Sequence, residues 1–300
     1  MSYQAARTGA ALIERSDRAV TRLYGRDPLR MIQGLVTNDV ASAPLDTPVY
    51  CTFLTPKGRM IGDARVLRRP DNDVWIEADE QALAGIEAHL KKSVPPLFAR
   101  AERLGDLHVI GIYGPRSDEV KIPSELQLAT SYTGSAGTDF IVRGAVALPD
   151  LPRLSFAELE VLRIEASSPR WGSELTEEVI PLEAGLRSVA ISETKGCYTG
   201  QEVIIRILHR GHVNRHLRGL LLGAAPVPVQ HTPITHGEKT VGKITSACAS
   251  PLLQQTIALG YVRREVEAGT TVIIDGNEAR VVELPFQKQD HEGISRIRSA

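Results

Sequence analysis

The chain has 300 residues, with 35 Lys and Arg against 36 Asp and Glu and a formal charge of −1. Apolar residues make up 42% and charged residues 24%, which excludes a mostly disordered chain, and the near-neutral balance excludes a globally basic nucleic-acid binder. The length suits about two domains, and three cysteines (Cys51, Cys197 and Cys248) are too few for a disulfide scaffold, so a reducing, cytoplasmic setting is expected.

The opening MSYQAARTGAALIERSDR lacks the apolar core of a signal peptide, and no Arg-rich, acid-poor presequence is visible. Asp27-Pro28 can open a short helix, with Asp27 as N-cap, Pro28 at the first helical position and Ile32, Leu35 and Val36 on its buried side. Three strand-like runs follow, VYCTFLT, MIGDARVLR and DVWIEA, separated by the turn-forming PKGR and PDND. Residues 80–92 read as a helix, with Leu83, Ile86 and Leu90 on one face and Lys91-Lys92 at its C-terminal end. LHVIGIYG and TDFIVRGAV are further strands. Ser155 and Glu158 have capping-box spacing, which predicts a helix from 155 to about 166, ended by Pro169 and Gly172. Residues 170–198 look irregular.

The texture then changes. LRGLLLGA, TVGKITSA, TIALGYV and TTVIIDGNEARVVEL are short strands, and Asp275-Gly276 is a type I′ hairpin signal, so a small β-barrel is expected. The two charge-poor stretches here, Gly219–Gly237 and Ile244–Val262, carry prolines, glutamines and hydroxyls and are not bilayer spans. Hairpins mixed with helices argue for α+β rather than a doubly wound parallel sheet.

Charge is unevenly spread. Residues 158–183 carry seven glutamates, and residues 195–218 carry Lys195, Arg206, Arg210, Arg215 and Arg218 against Glu202 alone. This is either a pair of solvated faces or a polar ligand site. Cys197 sits in KGCYTGQEVIIRIL. Thr199 and Glu202 have capping-box spacing, which predicts a helix from Gly200 anchored by Val203, Ile204, Ile207 and Leu208. A helix N-terminus and Lys195 both favour a thiolate, against the alternative of a small buried hydrophobe. His209, His212 and His216 invite a metal reading, but Gly211 interrupts the helix and no Cys-x-x-Cys pair supports them, so no metal is expected. There is no dinucleotide fingerprint, nucleophile elbow or P-loop. Asp63, within MIGDARVL, alternates onto the side of Ile61 and Arg65 and on spacing alone reads as a surface residue.

Taken together, RMIQGLVTNDV, FLTPKGRMIGDARV, RIEASSPRWGSEL, PLEAGL, KGCYTGQEVIIRILHRGHVNRHLRGL and VGKITSACASP followed by IALGYV resemble the YgfZ-type folate-binding proteins, relatives of the glycine cleavage T-protein (aminomethyltransferase). The likeness runs from about residue 10 to 275. It implies a three-part cloverleaf with a central opening for tetrahydrofolate. Residues 1–217 would form the folate-binding α+β region of two intertwined lobes, one inserted at roughly 48–106; 218–286 would form the barrel and 287–300 a polar tail.

The resemblance also assigns roles. Asp63 matches the acid that assists transfer in T-proteins, and Glu165, in RIEA, matches the glutamate that holds the pterin. Lys195, Arg215 and Arg218 join it as folate-binding candidates, the arginines towards the glutamate tail. Cys197 is the hallmark of the YgfZ branch. T-proteins usually have two acids where this chain has Gly62-Asp63, and they lack the cysteine. Both departures favour an accessory protein, a monomer, supporting iron–sulfur cluster assembly or repair and thereby tRNA modification. The alternative is a folate-dependent aminomethyl or one-carbon transferase. Direct nucleic-acid binding by 195–218 has little support, since Tyr198 is the only aromatic residue there.

Overall fold

The computed structural model describes residues 2–286. It opens with α1 (Ser2–Thr8), β1 (Ala11–Glu14) and β2 (Arg18–Gly25), elements too short or too mixed to announce themselves by periodicity. α2 (Pro28–Gln33) begins at Pro28 as expected, although Asp27 makes no side-chain cap bond. Then come β3 (Val49–Leu54), β4 (Met60–Arg68) and β5 (Val74–Asp79), followed by α3 (Glu80–Ser93). The Asp79 carboxylate caps α3 by accepting the Gln81 N–H at 2.9 Å. Next are β6 (Ala99–Arg103), β7 (Leu107–Tyr113), β8 (Leu126–Thr130), β9 (Gly137–Arg143) and α4 (Phe156–Glu165). The capping box of α4 is complete, with the Ser155 N–H donating to Glu158 at 2.9 Å and the Glu158 N–H to Ser155 Oγ at 3.2 Å.

After α4 the chain is mostly irregular, with α5 (Arg187–Ala190) as a single turn, until α6 (Gln201–Arg210). The capping box expected at Thr199 and Glu202 does not form. Gly200 is the N-cap, at φ +82°, and Glu202 is exposed and pairs instead with Arg206 at 2.9 Å. A side chain at Gly200 would also meet the Thr55 carbonyl at 2.7 Å, so the tight entry to α6 requires glycine. Of the apolar anchors expected on α6, Ile204 is fully buried, while Val203, Ile207 and Leu208 are half-buried.

Three β-units result. A four-stranded antiparallel sheet has the order β1-β7-β9-β8, and a five-stranded one the order β3-β4-β5-β2-β6. The third is a closed six-stranded barrel of β10 (Arg215–Gly223), β11 (Pro233–His236), β12 (Lys239–Ser250), β13 (Gln255–Arg263), β14 (Thr271–Ile274) and β15 (Asn277–Val282), in the order β10-β13-β12-β11-β14-β15. This is the expected α+β, three-part arrangement with a C-terminal barrel. The five-stranded sheet draws on residues 18–103, so it starts ahead of the expected 48, and the barrel's first strand starts at Arg215 rather than 218. Asp275 and Gly276 both take positive φ in the β14–β15 turn, as type I′ demands. The polar tail expected over 287–300 lies outside the described residues.

One buried network ties the parts together. Arg163 of α4 is fully buried and donates to Glu174 at 2.8 Å and to Ser246 Oγ of β12 at 2.6 Å. Glu174 in turn accepts from Thr245 and Ser246 at 2.7 and 2.6 Å. Helix, irregular segment and barrel thereby share one set of charge-assisted hydrogen bonds.

Candidate functional site

A cavity of about 380 Å³ opens where the two sheets meet the irregular segment. The five-stranded sheet contributes Arg18, Tyr50, Asp63, Arg65 and Asp79; the other sheet and its β8–β9 turn contribute Tyr132 and Asp139; Arg170 and Trp171 close the third side.

Asp63 carries the main chemical interest. Ile61, Asp63 and Arg65 share one face of β4, as alternation predicts, but that face looks into the cavity and not outward, so the surface reading of Asp63 is corrected. Its Oδ2 accepts a hydrogen bond from the Tyr50 hydroxyl at 2.9 Å. Its Oδ1 is buried and has no hydrogen-bond partner. Burial raises the Asp63 pKa, while the Arg18 charge and the Tyr50 hydrogen bond pull it back down. Such a carboxylate can hold a proton, or accept one, near a bound substrate.

Most of the other charges of the wall are paired with one another. Glu77, fully buried on β5, takes Arg18 as a bidentate pair at 2.6 and 2.7 Å and Arg65 Nε at 2.6 Å. The two guanidiniums hold its pKa well below the usual carboxylate range against the cost of burial. Arg65 reaches across to Asp139 of β9 at 2.7 Å, which joins the two sheets. Asp139 also accepts from the Tyr113 hydroxyl at 2.7 Å, and that hydroxyl accepts from Arg15 at 2.7 Å. The Arg15 guanidinium lies over the Tyr132 ring, 5.2 Å from its centroid. These groups pair with one another and so shape and stiffen the wall. Arg170 differs, because its Nε is buried without a partner.

Among the residues singled out from the sequence, only Asp63 lines this cavity. Glu165 does not. It is fully buried and already accepts from Tyr3 Oη at 2.7 Å, Ser250 Oγ at 2.5 Å, the Leu252 N–H at 3.1 Å and Arg7. A bidentate ligand would have to displace these donors. Lys195 is likewise committed: its ammonium donates to the carbonyls of Gln33, Val36 and Asn38 at 2.7, 2.7 and 2.9 Å. It therefore holds the segment after α2 and does not face a cofactor. Arg215 lies over the Tyr261 ring at 4.7 Å and contacts Glu183 at 3.1 Å, on the barrel. Arg218 pairs with Glu283 and does not line the cavity. Cys197 is exposed and outside the cavity. Cys51 and Cys248 are buried, and burial pushes both thiols up to about 12.

The sequence reading missed Tyr50, Tyr132, Arg170 and Trp171. Only S-P-R-W carried a signal, a proline-arginine-tryptophan run just past a helix end. Among the described residues no group of three or more His, Cys, Asp or Glu side chains is placed to hold a metal ion, and no helix is long and apolar enough to cross a membrane.

Comparison with known proteins adds a context to this geometry. Residues 2–137 match the GCVT N-terminal domain, and residues 215–288 match the glycine cleavage T-protein C-terminal barrel domain. The chain is similar to the aminomethyltransferase of Symbiobacterium thermophilum, at 26% identity over 96% of this chain and 89% of that protein. It is similar to that of Rubrobacter xylanophilus at 28% identity, over 97% of this chain and 87% of that protein. Among solved structures, the glycine cleavage system aminomethyltransferase T of Bartonella henselae superposes with a TM-score of 0.84 at 19% identity, covering 95% of this chain and 88% of that one. At that identity the likeness establishes a common fold.

Proposed function

Because the chain belongs to the glycine cleavage T-protein superfamily, we propose that the cavity binds tetrahydrofolate and that the protein transfers a one-carbon unit there, in the manner of the aminomethyltransferases it is similar to. The observation that carries this reading is Asp63, with one carboxylate oxygen fixed by Tyr50 and the other buried in the cavity wall without a partner. An unpaired buried acceptor is costly unless a ligand donor meets it, and a reduced folate offers ring N–H groups of that kind. When bound, tetrahydrofolate supplies the amine nitrogens on which a one-carbon unit is carried. Asp63 holds or accepts a proton beside them at Oδ1. Tyr132 and Trp171 provide flat apolar surface for a heterocycle, and Arg170, with its Nε unpaired, provides a donor for a carbonyl or carboxylate. Glu77 and Asp139 keep the remaining wall rigid by holding Arg18 and Arg65.

Calorimetric titration with tetrahydrofolate, run beside an assay of aminomethyl transfer, tests this. Wild-type protein is expected to bind and turn over, and Asp63→Asn to lose turnover and bind at least about tenfold more weakly. No heat and no thermal shift at large folate excess would sink the assignment of the cavity.

A second reading is favoured by Cys197. Its thiol is exposed, outside the cavity, in the K-G-C-Y-T-G-Q-E segment characteristic of the YgfZ branch. On this reading the protein is a folate-binding accessory factor for iron–sulfur proteins, and the thiol faces a protein partner. Folate binding without turnover selects this reading over the first.

A further inference from the structure

Asp79, the last residue of β5, lines the same cavity as Asp63 of β4. The register brings the two together. Arg65 of β4 pairs with Glu77 of β5 on antiparallel strands, at the end of their ladder. Two residues further along each strand stand Asp63 and Asp79, on the same face by alternation. On the next strand, β2, Arg18 pairs with Asp79.

The other acids around the cavity each have a cation. Asp17 takes Arg15 at 2.7 Å, Glu77 takes Arg18 and Arg65 at 2.6 Å, and Asp139, across the cavity, takes Arg65 at 2.7 Å. Three guanidiniums thus stand against three carboxylates. Arg170, facing the pair from the irregular segment, reaches Glu160 at 3.6 Å. Asp63 and Asp79 make no ion pair among the described residues, and each accepts one neutral donor: the Tyr50 hydroxyl for Asp63 and the Gln81 N–H for Asp79, both at 2.9 Å. Tyr50 of β3 and Tyr132 opposite are uncharged, since burial raises both phenols. Two like charges facing one cavity repel, and a single proton relieves the repulsion. Because Tyr50 donates to Oδ2, the atom open to that proton is Oδ1, which is buried and has no hydrogen-bond partner.

We propose that Asp79 is a positioning residue for Asp63: the two carboxylates hold one proton between them in the free protein, on Oδ1 of Asp63, and Asp79 remains charged. Burial and the Asp79 charge both raise the Asp63 pKa, with Arg18 and the Tyr50 hydrogen bond opposing them. The proton then stands ready beside a bound amine nitrogen, which can take it directly. That use of the proton rests on the folate reading of the cavity; its presence in the free protein does not.

The test is carbon NMR of the full chain labelled at the aspartate side-chain carboxyls, titrated with pH in the absence of folate. The wild type is expected to show a carboxyl that titrates above the ordinary Asp range and that disappears in Asp63→Asn. Asp79→Asn and Asp79→Ser both keep a side-chain acceptor for the Gln81 N–H, so α3 keeps its cap. Both should move the Asp63 midpoint to lower pH, and Asp79→Glu, which returns the charge, should leave it raised. An Asp63 that titrates at the ordinary value overturns the proposal. So does a midpoint unmoved in Asp79→Asn and Asp79→Ser: a fall in melting temperature alone would make Asp79 a helix cap and nothing more. Should one of these two variants not fold, the other carries the comparison. A raised Asp63 in a protein that binds no tetrahydrofolate would leave the pair standing and sink only the folate reading.

Discussion

Lys195→Met asks whether Lys195 is a ligand residue, as the resemblance implied, or a fastening. The ammonium makes three hydrogen bonds to the carbonyls of Gln33, Val36 and Asn38, at 2.7–2.9 Å. The methionine keeps most of the volume and removes all three donors. Each abandoned buried acceptor costs about 1–3 kcal/mol, and water can reach the two that are only partly buried. The ammonium's own desolvation, which lowers its pKa to about 8, is relieved at the same time. The balance is a loss of roughly 2–4 kcal/mol at neutral pH, readable as a shift in urea midpoint at constant slope. The sign with pH follows. The folded state gives up the proton nearer 8 and the unfolded chain nearer the ordinary lysine value, so between them the unfolded state binds more protons. The wild type therefore gains on Lys195→Met as pH rises through that window, and loses that gain as pH falls towards 8. Unchanged stability together with lost tetrahydrofolate binding would refute the fastening and restore the ligand role.

Three further outcomes are expected. Asp63→Asn should stabilise the protein by about 1 kcal/mol at neutral pH, since it removes a buried carboxylate with one unpaired oxygen; because the folded pKa is raised, the gain should vanish below the ordinary Asp value, and a gain that persists in acid would contradict it. Glu165→Gln should cost about 2–4 kcal/mol through the uncompensated Arg7 and leave tetrahydrofolate affinity intact, whereas weaker binding at full stability would return Glu165 to the ligand. Iodoacetamide at neutral pH should label Cys197 in the native protein and Cys51 and Cys248 only on unfolding, as mass mapping can show; native labelling of Cys248 would count against the barrel packing around it.

The fold was legible wherever local chemistry was complete. The Ser155–Glu158 box, the Asp275-Gly276 turn and the alternating runs of β3, β4 and β5 appear where expected. Thr199–Glu202 failed because spacing reports only that a capping box can form: Gly200 takes the N-cap position instead, the Thr199 hydroxyl donates to the Gly34 carbonyl at 3.5 Å, and Glu202 pairs with Arg206. β1 and β2 escaped because they are stabilised by partners far away in sequence, β1 by β7 and β2 by β5 and β6. The site was less legible than the fold. Asp63 was found through resemblance, while Tyr50, Tyr132 and Arg170 converge only after two sheets and an irregular segment meet. Lys195, Glu165 and Arg218 were picked for their charge, and charge alone does not tell a residue that binds a ligand from one already bound within the protein.

That distinction is what the structure adds. Glu77, Glu165, Glu174 and Lys195 are all buried and charged, and each has its hydrogen-bonding capacity taken up by named partners. Breaking any of them leaves a partner stranded, so they serve the fold. Asp63 and Arg170 each keep one buried polar atom unmet, and both face the same cavity. Glu174 connects the two kinds. Its Oε2 accepts from Arg163 at 2.8 Å and from the Arg170 N–H at 3.1 Å, while its Oε1 takes the two hydroxyls of β12. The barrel thus fixes the backbone of Arg170, whose guanidinium meets Glu160 at 3.6 Å through one nitrogen and keeps its buried Nε without a hydrogen bond beside the cavity.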